Sequence, residues 1–173
     1  GLMLAMASRA MEDDMIPEFT SQGVTNFALA FAKLRINVPE MMTALSQRIQ
    51  EEEVLRTVTA QGLCSMVRAF AMLHILDKRL MEILAARAIM PDVLAKLNAK
   101  ALLEIAAGYQ SLGHYNRPLM ESLASRAMAE DLLYTFDPNM AAELAFIFRE
   151  MGIQNQALFN ALEIAEARYL AAQ

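Results

Sequence analysis

A single cysteine, two histidines, no tryptophan, six glycines and five prolines in 173 residues leave the chain with few of the usual chemical handles. One thiol, Cys64, cannot close an intramolecular disulfide, so no cystine framework holds the fold. Such usage suits a reducing, intracellular setting and not secretion. His74 and His114 have no cysteine or carboxylate neighbours at metal-ligand spacing, and no glycine-rich loop is available to cradle a phosphate. The sequence therefore predicts no metal, no cofactor, no small-molecule substrate and no catalysis. Scarce glycine and proline argue against disorder. No apolar run approaches the roughly 18 residues of a membrane span.

What the chain does have is apolar residues, 56% of the total, set out at a fixed interval. Phe19, Val58, Leu97 and Phe136 are 39 residues apart. Each is followed by a residue whose side-chain oxygen can cap a helix: Thr20, Thr59, Asn98 and Asp137. Four residues past each cap stands Val24, Leu63, Leu102 or Ala141, the spacing of a hydrophobic staple. From there the apolar positions continue at helical spacing, as in Val24, Phe27, Ala28 and Phe31 or Leu63, Met66, Val67 and Phe70. Gly113 and Gly152 fall where a left-handed residue would end the helix. Arg35 and His74 hold that place in the first two blocks, which predicts looser closures there.

A second helix follows a short turn, with Asp77, Asn116 and Asn155 as caps; in the first block Val38 holds that position and the signal shifts to Asn37, followed by Pro39. Its stripe reads Met41, Met42, Leu45, Ile49, then Leu80, Met81, Leu84, Ala88, and so on. A lone hairpin of this kind cannot cover its own apolar side, so neighbouring copies must. The predicted fold class is all-α, an α-solenoid of stacked antiparallel helical hairpins with a 39-residue repeat. It spans 1–173 as one array, with a partial repeat at 1–18 and hairpins at 19–57, 58–96, 97–135 and 136–173. Residues 1–8 have the apolarity of a signal-peptide core. However, Leu2, Met3, Met6 and Arg9 lie 39 residues before Met41, Met42, Leu45 and Arg48, so the register predicts the second helix of an incomplete repeat. The connectors carry a recurring apolar pair, Met15-Ile16, Val54-Leu55, Val93-Leu94 and Leu132-Leu133, which predicts short helical turns tucked under the array. The last helix is expected from about Gln156 to Ala172.

The net charge of −5 is distributed unevenly. It is −3 for 1–18, zero for 19–57, +2 for 58–96, −1 for 97–135 and −3 for 136–173. An acidic balance disfavours broad nucleic-acid binding but leaves room for one local stripe. The acidic runs Glu12-Asp13-Asp14 and Glu51-Glu52-Glu53 fall at connectors and read as solvated surface.

Two constellations are candidates for binding. Arg9, Arg48, Arg87 and Arg126 recur at 39 residues and would form a column with about the 8–10 Å spacing of packed helices. Such a column is open to three readings: forked contacts to successive phosphates, interaction with helix C-terminal carbonyls or an adjacent repeat, or a protein interface. Ala165 breaks it in the last block. The second constellation is the turn Leu112-Gly-His-Tyr-Asn-Arg-Pro118, where His114, Tyr115 and Arg117 are suited to stacking on unpaired bases or to packing on their own hairpin. His74, Lys78 and Arg79 occupy the equivalent turn of the second hairpin.

The cap–x–x–x–Leu openings, Ala30-Phe31-Ala32 and Ala69-Phe70-Ala71, the turn Leu112-Gly-His-Tyr, and the blocks Leu80-Met-Glu-Ile-Leu-Ala-Ala-Arg87 and Leu119-Met-Glu-Ser-Leu-Ala-Ser-Arg126 resemble organellar helical-repeat proteins. These are the octotricopeptide and heptatricopeptide repeats and the FAST-kinase-like, RAP-domain proteins, although no RAP domain is visible. The resemblance implies a non-enzymatic, RNA-associated protein of a mitochondrion, or alternatively a plastid. It would contact rRNA or an organellar transcript and neighbouring proteins within a larger ribonucleoprotein such as a mitochondrial ribosome. The alternative is a protein–protein scaffold with no RNA contact.

Overall fold

In the computed structural model, which describes residues 1–12 and 15–171, every regular element is helical, and no strand occurs among the described residues. Helix α1 (Leu2–Glu12) leads through a 3-10 turn at Ile16–Glu18 to α2 (Ser21–Lys33) and α3 (Pro39–Ile49). A four-residue helix, α4 (Glu52–Leu55), connects to α5 (Ala60–Met72) and α6 (Lys78–Ala88). The same order continues with α7 (Pro91–Leu94), α8 (Ala99–Ser111), α9 (Arg117–Ala127), α10 (Glu130–Leu133), α11 (Pro138–Glu150) and α12 (Gln156–Ala171). Asp13 and Asp14 of the acidic run, and Ala172 at the expected end of α12, lie outside the described residues.

The starts of the long helices follow from their caps. The side chains of Thr20, Thr59, Asn98 and Asp137 accept from the backbone amides of Gly23, Gly62, Ala101 and Met140. Each fills one of the four donors a helix start leaves unmet. Asp77, Asn116 and Asn155 do the same for the second helices. Val38 offers no side-chain cap, and Pro39 opens α3 where its missing N–H costs nothing.

The ends of α2, α5, α8 and α11 correct one expectation. The Arg35 and His74 closures are not looser than the glycine closures. Arg35 and His74 both adopt φ of 54°, beside Gly113 at 63° and Gly152 at 76°. Each donates its amide three residues back, and the next residue donates five back: Arg35 to Ala32 and Ile36 to Phe31, His74 to Ala71 and Ile75 to Phe70. Gly113 with His114 and Gly152 with Ile153 repeat the pattern. All four are the same double-bonded closure, so the two side-chain-bearing copies hold strain of about 1–2 kcal/mol that glycine avoids.

Packing explains why the stripes exist. Helix α2 lies on α5, α5 on α8 and α8 on α11, while the second helices meet one another more sparsely. Val24, Leu63, Leu102 and Leu144, with Phe31, Phe70, Tyr109 and Phe148 one to two turns on, are fully buried. The α5–α8 contact is close: a Cβ on Gly108 would stand 2.4 Å from Val67 Cγ1. Tyr109 keeps its hydroxyl satisfied by donating to the Met81 carbonyl at 2.6 Å, and burial raises its pKa. The connectors tuck in through Val54, Val93 and Leu132, each buried.

Candidate functional site

The arginine column resolves into internal clamps. The guanidinium of Arg87 donates through Nη2 to the carbonyls of Arg56 (3.2 Å) and Val58 (3.1 Å), at the connector that precedes its hairpin. On its other side it forks onto Asp92 of α7 at 2.8 and 2.6 Å. Arg126 repeats this with the carbonyls of Ala95 and Leu97 and with Asp131 of α10 at 2.7 and 2.8 Å. Arg48 donates through Nε to the Phe19 carbonyl at 3.0 Å and pairs with Glu51 and Glu53. Each arginine therefore ties the connector before its hairpin to the one after it. The three side chains are only 12–14% exposed.

For Arg48, Arg87 and Arg126 these contacts are those of the second reading, helix-end and connector carbonyls of the adjacent repeat. A guanidinium already bonded to carbonyls and a carboxylate in a partly dry site has no free fork for a strand. The hydrogen bonds from the arginines hold the carboxyls of Asp92 and Asp131 below their ordinary value, and the Asp131 bond raises the pKa of Arg126. The Nε groups of Arg87 and Arg126 remain buried without a partner, the cost of aiming the fork at two targets. Arg9, at the same register in α1, is exposed, and Ala165 is buried in α12.

The opposite edge, where first helices turn into second helices, is arranged differently. Lys33, Arg35, Lys78 and Arg79 are all exposed there, and none of their side chains makes an ion pair or hydrogen bond among the described residues. Lys78 and Arg79 open α6 and Arg117 opens α9. Cations at a helix start face the positive end of its dipole, an arrangement that costs a few tenths of a kcal/mol or more and that an anion would relieve. Arg117 is the partial exception, since it donates to Glu121 at 2.7 Å, and that bond raises its pKa.

The turn of the third hairpin divides into two roles. His114 faces inward, with Nε2 2.7 Å from Glu82 Oε1, while Asn116 donates to Glu82 Oε2 at 2.8 Å. These two hold the turn to α6 of the neighbouring hairpin. Tyr115, 49% exposed, faces out. With Arg117, Gln154, Asn155 and Gln156 it lines a cleft of about 740 Å³ between the third and fourth turns. His114 is thus a positioning residue, and Tyr115 and Arg117 are the accessible pair. Sequence reasoning missed Lys33 and Arg35. The signal was present in the register, because Arg35 stands at the helix-closing position and Lys33 is the last residue of α2.

The thiol of Cys64 donates to Glu104 at 2.9 Å, and burial, with Glu104 adding to it, pushes its pKa up to about 12. It is no nucleophile at neutral pH. Among the described residues, no three His, Cys, Asp or Glu side chains converge as a metal site, and no helix is long and apolar enough to cross a membrane.

Against families of known proteins, residues 1–171 match the model described as RNA-editing substrate-binding complex 6 protein. That family is distinct from the octotricopeptide, heptatricopeptide and RAP-domain groups that the sequence resembles. No curated protein matches the chain.

Proposed function

The chain belongs to the family of RNA-editing substrate-binding complex 6 proteins, and from that premise we propose that it is a non-catalytic, RNA-associated scaffold subunit of a mitochondrial RNA-editing complex. The family description supports an editing complex and gives no support to a ribosomal role or a plastid location. The hairpins are read as one α-solenoid with a 39-residue unit, in which the first helices pack closely on one another and the second helices meet more sparsely.

One observation carries the assignment of the RNA-facing edge. The column arginines are consumed internally, whereas Lys78, Arg79 and Arg35 stand exposed without protein partners on the turn edge. Arg35 and His74 also hold left-handed strain where two other turns use glycine, and strain retained at an exposed position is a mark of function. Phosphates would lie against Arg35, Lys78, Arg79 and Arg117, with Tyr115 offering a stacking face.

The test is salt-dependent RNA binding by the Arg35→Gln, Lys78→Gln, Arg79→Gln triple variant. Losing three phosphate contacts on a single strand lowers the slope of log K against log salt by about 2. An unchanged slope and affinity would remove the turn edge from RNA binding. A second reading, docking of another protein, draws on Ile164, Tyr169 and Leu170 of α12, which are 52%, 40% and 61% exposed. The two readings concern different surfaces.

A further inference from the structure

The side that one first helix offers to the next can be read from α5. Helix α8 rests on Cys64, Val67, Arg68 and Ala71: Cys64 donates to Glu104 at 2.9 Å, Arg68 pairs with the same carboxylate at 3.3 Å, and Gly108 lies against Val67 and Ala71. In α11 the same register is held by Ala142, Ala145, Phe146 and Arg149. Helix α11 packs on α8 and α12, and on this side Ala142 is exposed and Phe146 is 57% exposed.

The second helices repeat the observation. Ser46, Ala85 and Ala124 are buried in α3, α6 and α9, as are Ile49, Ala88 and Ala127, and Ser46 donates to Asp77 of the following hairpin. In α12 these two positions are Glu163 and Glu166. Glu163 is exposed and Glu166 half-buried. Arg149 reaches Glu163 only at 3.9 Å with both side chains more than half exposed, so that pair neutralises little. Glu166 makes no ion pair among the described residues. Two turns past Glu163 on the same side of α12, Leu170 is 61% exposed.

A hairpin that only closed a stack would turn polar on this face. Glu163 and Glu166 do so, but Phe146 stands where α5 and α8 carry Arg68 and Ala107, and Leu170 stands at the register of Asp92 and Asp131. Large apolar side chains beside charged ones are the make-up of an interface, an anchor with a polar margin.

The charges select what covers it. An RNA strand would bring phosphates against two carboxylates. Residues 1–18 and 136–173 each carry −3, so any pairing of these ends between copies opposes like charges. A further hairpin tied as the others are would need the clamp, but Ala165, Leu170 and Ala171 replace Arg126, Asp131 and Leu132 at that register. Helix α12 instead runs 16 residues where α3, α6 and α9 each run 11. A partner that takes Glu163 and Glu166 out of water must supply cations, because an unpaired buried carboxylate is costly.

The geometry points to a docking face, formed by Phe146, Glu163, Glu166 and Leu170, for a helix of another protein that carries an apolar stripe flanked by Lys or Arg. That helix lies on α11 and α12 as α8 lies on α5. The proposal rests on the scaffold reading and specifies what the scaffold holds.

The experiment places photoreactive p-benzoylphenylalanine at position 146 of the full chain in its assembled complex and maps the crosslinks by mass spectrometry. The captured segment is then made as a labelled peptide, and its binding to the full chain is read by anisotropy. The expected segment is helical, belongs to another protein and carries Lys or Arg beside its apolar stripe. Phe146→Ser with Leu170→Ser should weaken binding about thirtyfold, the scale of one lost anchor. Glu163→Lys with Glu166→Lys should weaken it about tenfold, and exchanging the peptide's facing cations for glutamate should restore it. That rescue separates a lost contact from a misfolded variant. RNA affinity stays unchanged in the Phe146–Leu170 variant, since the turn edge is untouched.

A chain present in the complex with no crosslink from position 146, or a captured segment whose binding ignores the charge reversal, would overturn the docking face and leave the scaffold reading standing. Crosslinks to RNA, or back to this chain within a copy or between copies, would overturn it as well. A chain absent from every purified editing complex would sink both.

Discussion

Replacing Arg87 with methionine separates a structural clamp from a phosphate contact, because the two roles predict opposite patterns. Methionine keeps most of the apolar stem and deletes the fork. What disappears is the pair of Nη2 bonds to the Arg56 and Val58 carbonyls at 3.2 and 3.1 Å and the two bonds to Asp92. Val58 is 1% exposed, so its carbonyl is left with little access to water. A hydrogen bond from a charged donor is worth about 1.5–3 kcal/mol, and an orphaned buried acceptor costs a similar amount. Counting the carbonyl side once, Arg87→Met should destabilise by about 2–3 kcal/mol. Asp92 is 59% exposed at its side chain, so Asp92→Asn should cost much less, and the double variant should lie close to Arg87→Met alone. Urea unfolding followed by helical circular dichroism reads all three. A stability change below about 0.5 kcal/mol for Arg87→Met, together with a fall of about 0.7 in the RNA salt slope, would refute the clamp and restore the column as an RNA contact.

Gly108→Ala gains helix propensity of about 1 kcal/mol but drives a methyl to 2.4 Å from Val67 Cγ1. Overpacking costs about 1–3 kcal/mol, so net destabilisation is expected, and Val67→Ala in the same chain should restore most of it in a double-mutant cycle. His74→Gly relieves a side-chain-bearing residue at φ of 54° and should raise stability by about 0.5–1 kcal/mol, read from the thermal midpoint. The carboxyls of Asp92 and Asp131 are held below the ordinary value of 3.8 in the folded chain. Their contribution is therefore complete above that value and is lost as the pH falls from it through the lower value each carboxyl has in the folded chain. The acid limb of stability should flatten in the Asp92→Asn, Asp131→Asn variant.

The helices were legible because each is specified locally more than once. A capping oxygen, a staple and a periodic stripe agree at Thr59 to Phe70 and again at Asn98 to Tyr109, and agreement of that kind leaves few alternatives. The fate of the arginines was not legible. Periodicity showed that Arg48, Arg87 and Arg126 are equivalent, but the same spacing serves a row of outward forks and a row of inward clamps. The choice depends on Asp92 and Asp131 standing five residues on and on the carbonyls that end the preceding connector. Those carbonyls are backbone, which composition cannot reveal. The Cys64–Glu104 bond and the Glu82 clasp on His114 and Asn116 were hidden for a related reason, since each joins neighbouring hairpins through side chains outside the apolar stripes.

The same contrast sets how the two edges divide the work. On the connector edge, Arg48, Arg87 and Arg126 recur at one register position and are neutralised within the fold, which ties successive connectors together. On the turn edge, Lys78, Arg79 and Arg117 sit at helix starts that disfavour them; Lys78 and Arg117 share one register position, which Pro39 and Gln156 hold in the first and last hairpins. A structural device must be copied wherever the geometry recurs, whereas a contact to an outside ligand need only match that ligand. Cations bonded within the fold at every copy therefore mark the frame, and exposed side chains such as Lys78 and Arg79 mark the surface that meets a partner. On this argument, moving an unpaired lysine by one turn along α6 should alter RNA affinity and leave stability within about 0.5 kcal/mol. Moving Arg87 by one turn should unfold the hairpin junction it ties.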